Sequence, residues 1–269
     1  MPDIHPSAII SPGAELGADV TIGPFAVIGS KVKLGNGSSV GAHAVLDGRT
    51  TIGEKNLIYP FASVGCKPQD LKYRGEDSEL IIGEGNSFRE YVTISIGTEH
   101  GGMQTVIGNS NLFMACSHVG HDGHIGDHCV FANACALAGH VTVGSGVTVG
   151  GMAGIHQFVR VGDLAIVAAG AMVSQDIPPF CMAHGDHAKL FSLNRVGLKR
   201  AGHSSDDINR LRHVYRAVLT GKGVLSARVS SVEAERVHPL TDRFIAFCAA
   251  PSQRGLAPTS RGQDADGEG

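Results

Sequence analysis

The sequence predicts a mainly β protein: a parallel β-solenoid of six-residue repeats, closed by a C-terminal α-helical cap. Three observations predict it. Apolar residues recur every sixth position through most of the chain, glycine is abundant at 37 of 269 residues, and after residue 173 the repeat gives way to a segment of helical period.

The first run of the repeat is Ile4, Ile10, Leu16, Ile22, Ile28, Leu34, Val40, Leu46, Ile52, Ile58 and Val64. It reappears at Ile82, Phe88 and Ile94 and slips by one residue. It then continues through Ile107, Phe113, Val119, Ile125, Phe131, Leu137, Val143, Val149, Ile155, Val161, Val167 and Val173. A period of six fits neither an α-helix at 3.6 nor a long strand at 2.0. It fits a short strand and a tight turn, repeated so that the apolar residues stack inward. Glycine often follows the apolar residue, as at Gly17, Gly23, Gly35 and Gly53. There it is expected to supply the backbone angles of the turn.

Two segments interrupt the repeat, at 66–80 (KPQDLKYRGEDSE within it) and at 97–104 (GTEHGGMQ). Insertions into solenoids form surface loops, often on the binding face. The repeat stops at Ile177-Pro178-Pro179, so residues 1–185 are assigned to the solenoid and 186–250 to a helical domain. There Ser204 or Ser205 can cap a helix whose face carries Ile208, Leu211, Tyr215, Val218 and Leu219. A second helix is expected within Ser231–Ala249. These helices would cover an open end of the solenoid, where unpaired strand edges invite aggregation. Residues 251–269 are polar and Gly-rich and are expected to be disordered.

Charged residues are 17% and net charge is −3, which gives no footprint for nucleic acid. None of the six cysteines forms a C-x-x-C pair, and several lie in the apolar repeat, as reduced, buried thiols do. No basic run leads into an apolar stretch at the N-terminus. No segment approaches the roughly 18 apolar residues of a spanning helix. The expectation is a cytoplasmic protein that does not span a membrane.

The hexads resemble those of the hexapeptide-repeat proteins. That resemblance implies a left-handed parallel β-helix with three hexads per triangular coil. The 26 inward positions then make between eight and nine coils. At about 4.8 Å per coil the prism is roughly 40 Å long. Val119, Leu137 and Ile155 stack, which brings His118, His121, His140 and His156 to neighbouring rungs of one edge. A neutral imidazole is a good general base near neutral pH and also a metal ligand. The hexapeptide carbonic anhydrases use an H-x-x-x-x-H pair. No two histidines here are five apart, so no metal is assigned.

A more specific resemblance rests on NLFMACSHVGHDGHIGDHCVFANACALAGHVTVG, GGMAGIHQFVRVG and QDIPPF, with KPQDLKY before them and NRVGLKR after. In this order, over residues 4–220, they resemble the UDP-N-acetylglucosamine O-acyltransferases that open lipid A synthesis. The resemblance implies transfer of an (R)-3-hydroxyacyl group from acyl carrier protein to the glucosamine 3-hydroxyl of UDP-N-acetylglucosamine. It makes His121 the base and the Gly139 N–H the oxyanion donor. Asp122 would support His121, against the rule that neighbours on a strand face opposite ways. His118, His140, His156 and Gln157 would line the cleft, and Gln69 and Asp70 would reach a neighbouring subunit's sugar. Asn194 and Arg200 match nucleotide-binding positions, and Ala169 matches the acyl-length ruler. Val196 and Ala201 depart from a family acid and a family arginine. The donor thioester is already activated, so no cofactor is implied. The implied assembly is a homotrimer, with Lys199, Arg200, Arg210, Arg212 and Arg216 as a basic face for the acidic carrier protein. A coenzyme A-dependent acyltransferase, a 3-amino UDP-sugar acceptor and a catalytically silent scaffold are the alternatives. Intact His121, Gly139 and Asp70 argue against the last.

Overall fold

A computed structural model describes residues 1–260. Its solenoid is a three-sided prism of sheets with 11, 9 and 8 strands, all pairings parallel except the last one of the 11-stranded sheet. Most strands are only two residues long, as a period of six requires. The register is regular: His118–Val119 pairs with Ala136–Leu137, which pairs with Gly154–Ile155, which pairs with Met172–Val173. From Ile22 to Val173 the inward residue of every hexad is buried, and these side chains stack into one continuous core. Phe88, Phe113 and Phe131 form a stacked column within it. At one turn of the prism Asn56, Asn86 and Asn111 are buried and bonded into a ladder through their side-chain amides.

Except at Gly65, which is left-handed as expected (φ +80°), the glycines after the inward residues do a different job from the one expected. The left-handed conformation falls three positions beyond the inward residue, at Asp19, Phe25, Lys55, Asp122, His140 and their equivalents. Gly35 and Gly53 are not among the left-handed residues. A Cβ on Gly35 would lie 2.4 Å from the Gly53 carbonyl carbon, so glycine is required there by the close approach of successive coils.

The sheet continues past residue 185, through an antiparallel pair at Cys181–His184 and Lys189–Leu193. Helices α1 (Arg195–Arg200), α2 (Ser205–Tyr215), α3 (Leu225–Ser230) and α4 (Pro239–Ala249) follow. Ser204 caps α2 in a reciprocal box with Asp207. Ile208, Leu211 and Tyr215 are buried as expected, together with Val214. Residues 251–260 do not match the disordered tail read from composition. Leu256 and Thr259 form parallel bridges with Asp176 and Leu190, and Ala257 is buried. The remaining residues of that segment, 261–269, lie outside the described residues. No helix among the described residues is long and apolar enough to cross a membrane.

Candidate active site

His121 stands two positions beyond inward Val119, and Asp122 three. In the next coil the same two turn positions are Gly139 and His140, and in the next Gln157 and Phe158. Asp122 has φ +58°, so the chain reverses there. The alternation that seemed to separate it from His121 does not hold at this turn. The fully buried Asp122 Oδ2 lies 2.7 Å from His121 Nδ1. Burial works to raise the Asp122 pKa, but hydrogen bonds from His121 and Thr98 hold it below the usual carboxylate range. An ionised carboxylate only accepts, so Nδ1 carries the proton. The Nε2 of the neutral ring is then left as an acceptor.

His140 packs edge-on against His121, 5.0 Å between ring centres, and stacks on Phe158. Burial lowers its pKa; nearby Asp122 and Asp70 oppose the shift, and His121 and Lys72 add to it. A Cβ on Gly139 would lie 2.6 Å from the His121 ring, so the ring occupies the space that a side chain would need. The Gly139 N–H has no acceptor among the described residues.

Around the corner from this dyad runs an open groove of about 570 Å³. His118, Ala136, Gly154 and Met172 form its rungs, with Ala138, Ile155 and His156 alongside. His118 shares a 2.7 Å hydrogen bond between Nδ1 and Thr93 Oγ1. Burial, and then the neighbouring His121, lower its pKa. His156 and Gln157 are exposed at the groove mouth.

Other expected site residues lie apart from this corner. Gln69 is exposed, and Asp70 closes its own loop by accepting from Lys72 N–H. That loop reaches the electrostatic neighbourhood of His140 in the same chain. Asn194 is buried, with its amide committed to capping α1 at Gly197 and to the Leu164 carbonyl. Arg200 is exposed on α1, and Ala169 is exposed outside the groove lining. Three contributors escaped the sequence reading. Thr98 and Thr105 sit around an insertion that has no period to align them. Arg254 lies in the segment read as disordered and meets His156 Nδ1.

His121, Asp122 and His140 offer ligand atoms within 4.8 Å of one another, a spacing that could hold a metal ion. Both Asp122 oxygens are already committed to Thr98 and His121. A metal would have to displace those bonds.

The chain is 55% identical over 216 residues to the acyl-[acyl-carrier-protein]–UDP-N-acetylglucosamine O-acyltransferase of Aliarcobacter butzleri (strain RM4018). The match covers 80% of this chain and 83% of that one. It is 48% identical to the enzyme of the same name from Anaeromyxobacter sp. (strain K), over 94% and 98% of the two chains. The chain belongs to the UDP-N-acetylglucosamine O-acyltransferase family. The model for the second domain of Udp N-acetylglucosamine O-acyltransferase matches residues 176–257, and the bacterial transferase hexapeptide model matches residues 13–48. The UDP-N-acetylglucosamine acyltransferase from Campylobacter jejuni superposes with a TM-score of 0.90 at 35% identity, covering 96% of this chain and all of that one. The solenoid of this acyltransferase is accordingly a left-handed parallel β-helix.

Proposed function

We propose that this chain transfers an (R)-3-hydroxyacyl group from acyl carrier protein to the 3-position of glucosamine in UDP-N-acetylglucosamine, the first step of lipid A biosynthesis. One observation carries the mechanism: buried Asp122 fixes His121 Nδ1–H and leaves Nε2 as the acceptor. A sugar hydroxyl is a poor nucleophile and must lose its proton as it attacks the thioester. His121 Nε2 takes that proton. The free N–H of Gly139, next to the His121 ring, suits the oxyanion of the tetrahedral intermediate. Collapse expels the carrier thiolate, which recovers a proton from the imidazolium.

The apolar groove from His118 to Met172 suits the acyl chain, and the exposed cations of α1 and α2, Lys199, Arg200 and Arg210 among them, suit an acidic carrier protein. Gln69, Asp70, His140, His156 and Gln157 are assigned to the sugar nucleotide. The side-chain amide of Asn194 caps α1, its N–H donates to the Phe180 carbonyl and its carbonyl accepts from Leu198, so it is assigned the role of supporting the α1 turn beside the nucleotide. The groove lies open along one face of a single chain, which favours a homotrimer in which a neighbouring copy closes it. Carrier-bound acyl groups and UDP-sugars are cytoplasmic substrates, and the protein is placed there with them.

The test is to incubate the protein with carrier-bound and coenzyme A thioesters and with UDP-N-acetylglucosamine or its 3-amino analogue, then weigh the products. Carrier-dependent acylation of the 3-hydroxyl sugar is expected, and acylation only from coenzyme A overturns the reading. His121→Ala should fold normally and lose about 10²-fold or more in turnover.

A further inference from the structure

The insertion at 97–104 is not a passive surface loop. Thr98 is 1% exposed and caps the short turn Glu99–Gly101, yet its side chain makes no cap hydrogen bond there. Its hydroxyl is directed instead to Asp122 Oδ2 at 2.6 Å, and its backbone N–H donates to Asp122 Oδ1 at 2.8 Å. Thr105, also fully buried, accepts the Asp122 backbone N–H at 2.8 Å and ties the left-handed turn. At Gly101 a Cβ would fall 1.9–2.3 Å from the carboxylate atoms of Asp122, so only glycine leaves them their place.

We propose that Thr98, with Gly101, is the positioning device of the His121–Asp122 pair. The inserted turn clamps the carboxylate so that Oδ2 meets His121 Nδ1–H and holds the ring in the tautomer that a base requires. This rests on the reading of His121 as the base and adds to it a residue with a separate role. Thr98 touches no substrate. It shares the charge of Asp122 and fixes where that charge points. A buried carboxylate with one fewer donor would concentrate its charge on the imidazole and could leave the plane in which the ring is useful. The other charged or titratable groups around the pair are His118 and His140, with Asp70 and Lys72 acting on His140.

Thr98→Val keeps the β-branched shape and the backbone donor while deleting the hydroxyl. Turnover should fall roughly tenfold with KM for both substrates unchanged, on the scale of one hydrogen bond to a charged group. The undiluted Asp122 charge should keep the imidazole protonated to higher pH, so the acid limb of kcat/KM moves up. Thr98→Ser restores the hydroxyl and should restore both. A loop that merely ties itself down would not move the pH limb, nor would its loss be cured by serine. Gly101→Ala, which pushes on the carboxylate from the other side, should likewise lower kcat at constant KM. The hydrogen-bonded His121 Nδ1 proton, observed by NMR in the folded protein, gives a readout independent of turnover. It should be present in wild type and shifted or lost in Thr98→Val. Wild-type kcat and an unmoved acid limb in Thr98→Val, or an unchanged Nδ1 proton signal, overturn the proposal. An inactive wild type instead overturns the functional reading beneath it.

Discussion

Asp122 turns back onto the ring of its own neighbour because its backbone is left-handed, and no sequence rule for strands anticipates that. The histidines were legible from the stacking of the hexads. The partner of His121 was legible only as a resemblance, because the alternation rule applies within a strand and fails at the turn. The buried rings carry a pH signature. His118 and His140 titrate below their ordinary 6.5 because burial penalises the charged form. In the unfolded chain they take up protons near 6.5, before the native protein does. Their contribution to stability is therefore complete above that pH and is lost as pH falls through the lower native values. The melting temperature should drop as pH is lowered from about 6.5 toward 5. Replacing both residues with glutamine should flatten part of that slope. An equal slope in the double variant would place the pH sensitivity elsewhere. Asp122 acts in a separate window. Its native pKa is lowered, so its stabilisation is present at neutral pH and disappears only as pH falls below the carboxylate range.

Among the elements, the hexads were the most legible, because a period of six leaves one inward residue per strand and those residues are apolar. The purpose of each glycine is not legible from spacing, because both close packing and a left-handed turn favour glycine. The groove shows a similar limit. The resemblance points to Ala169 as the acyl-length ruler, whereas the groove floor is the ladder Ala136, Gly154 and Met172, with Met172 its one bulky rung. Three rungs separate His118 from Met172, roughly 14 Å along the prism. Met172→Gly should lengthen the preferred acyl chain, and Ala169→Met should shorten it if a neighbouring copy folds that edge into the site. Each methylene buried is worth ~0.8 kcal/mol, a several-fold preference in a competition between mixed donors. Unchanged product lengths in Met172→Gly would remove that residue as the limit.

At the scale of the whole molecule, the cap and the strand-like segment at 251–260 decide how the solenoid ends. Composition alone made residues 251–260 a loose tail, because isolated Leu256 and Ala257 carry no period. The fold gives them a place. Asp176 N–H donates to Gly255, Ala257 N–H donates back to Asp176, and Leu190 and Pro258 continue the pairing. The same segment carries Arg254 to His156 at the groove mouth. Ending the chain after Ala250 removes four backbone hydrogen bonds and the buried Ala257 side chain, and strips Arg254 from His156. At about 1 kcal/mol per bond and a further 1–2 for the apolar contact, the loss is on the order of 5 kcal/mol. For a chain of this size that corresponds to a fall in melting temperature of roughly 10 °C. Ending it after Ser260 should leave the melting temperature unchanged, since every bond just named is kept. Arg254→Ala separates the two roles: it should preserve the melting temperature while raising KM for the sugar nucleotide, because it frees the His156 ring that Arg254 orients. Equal melting temperatures for the two truncations would show that the segment does not close the fold.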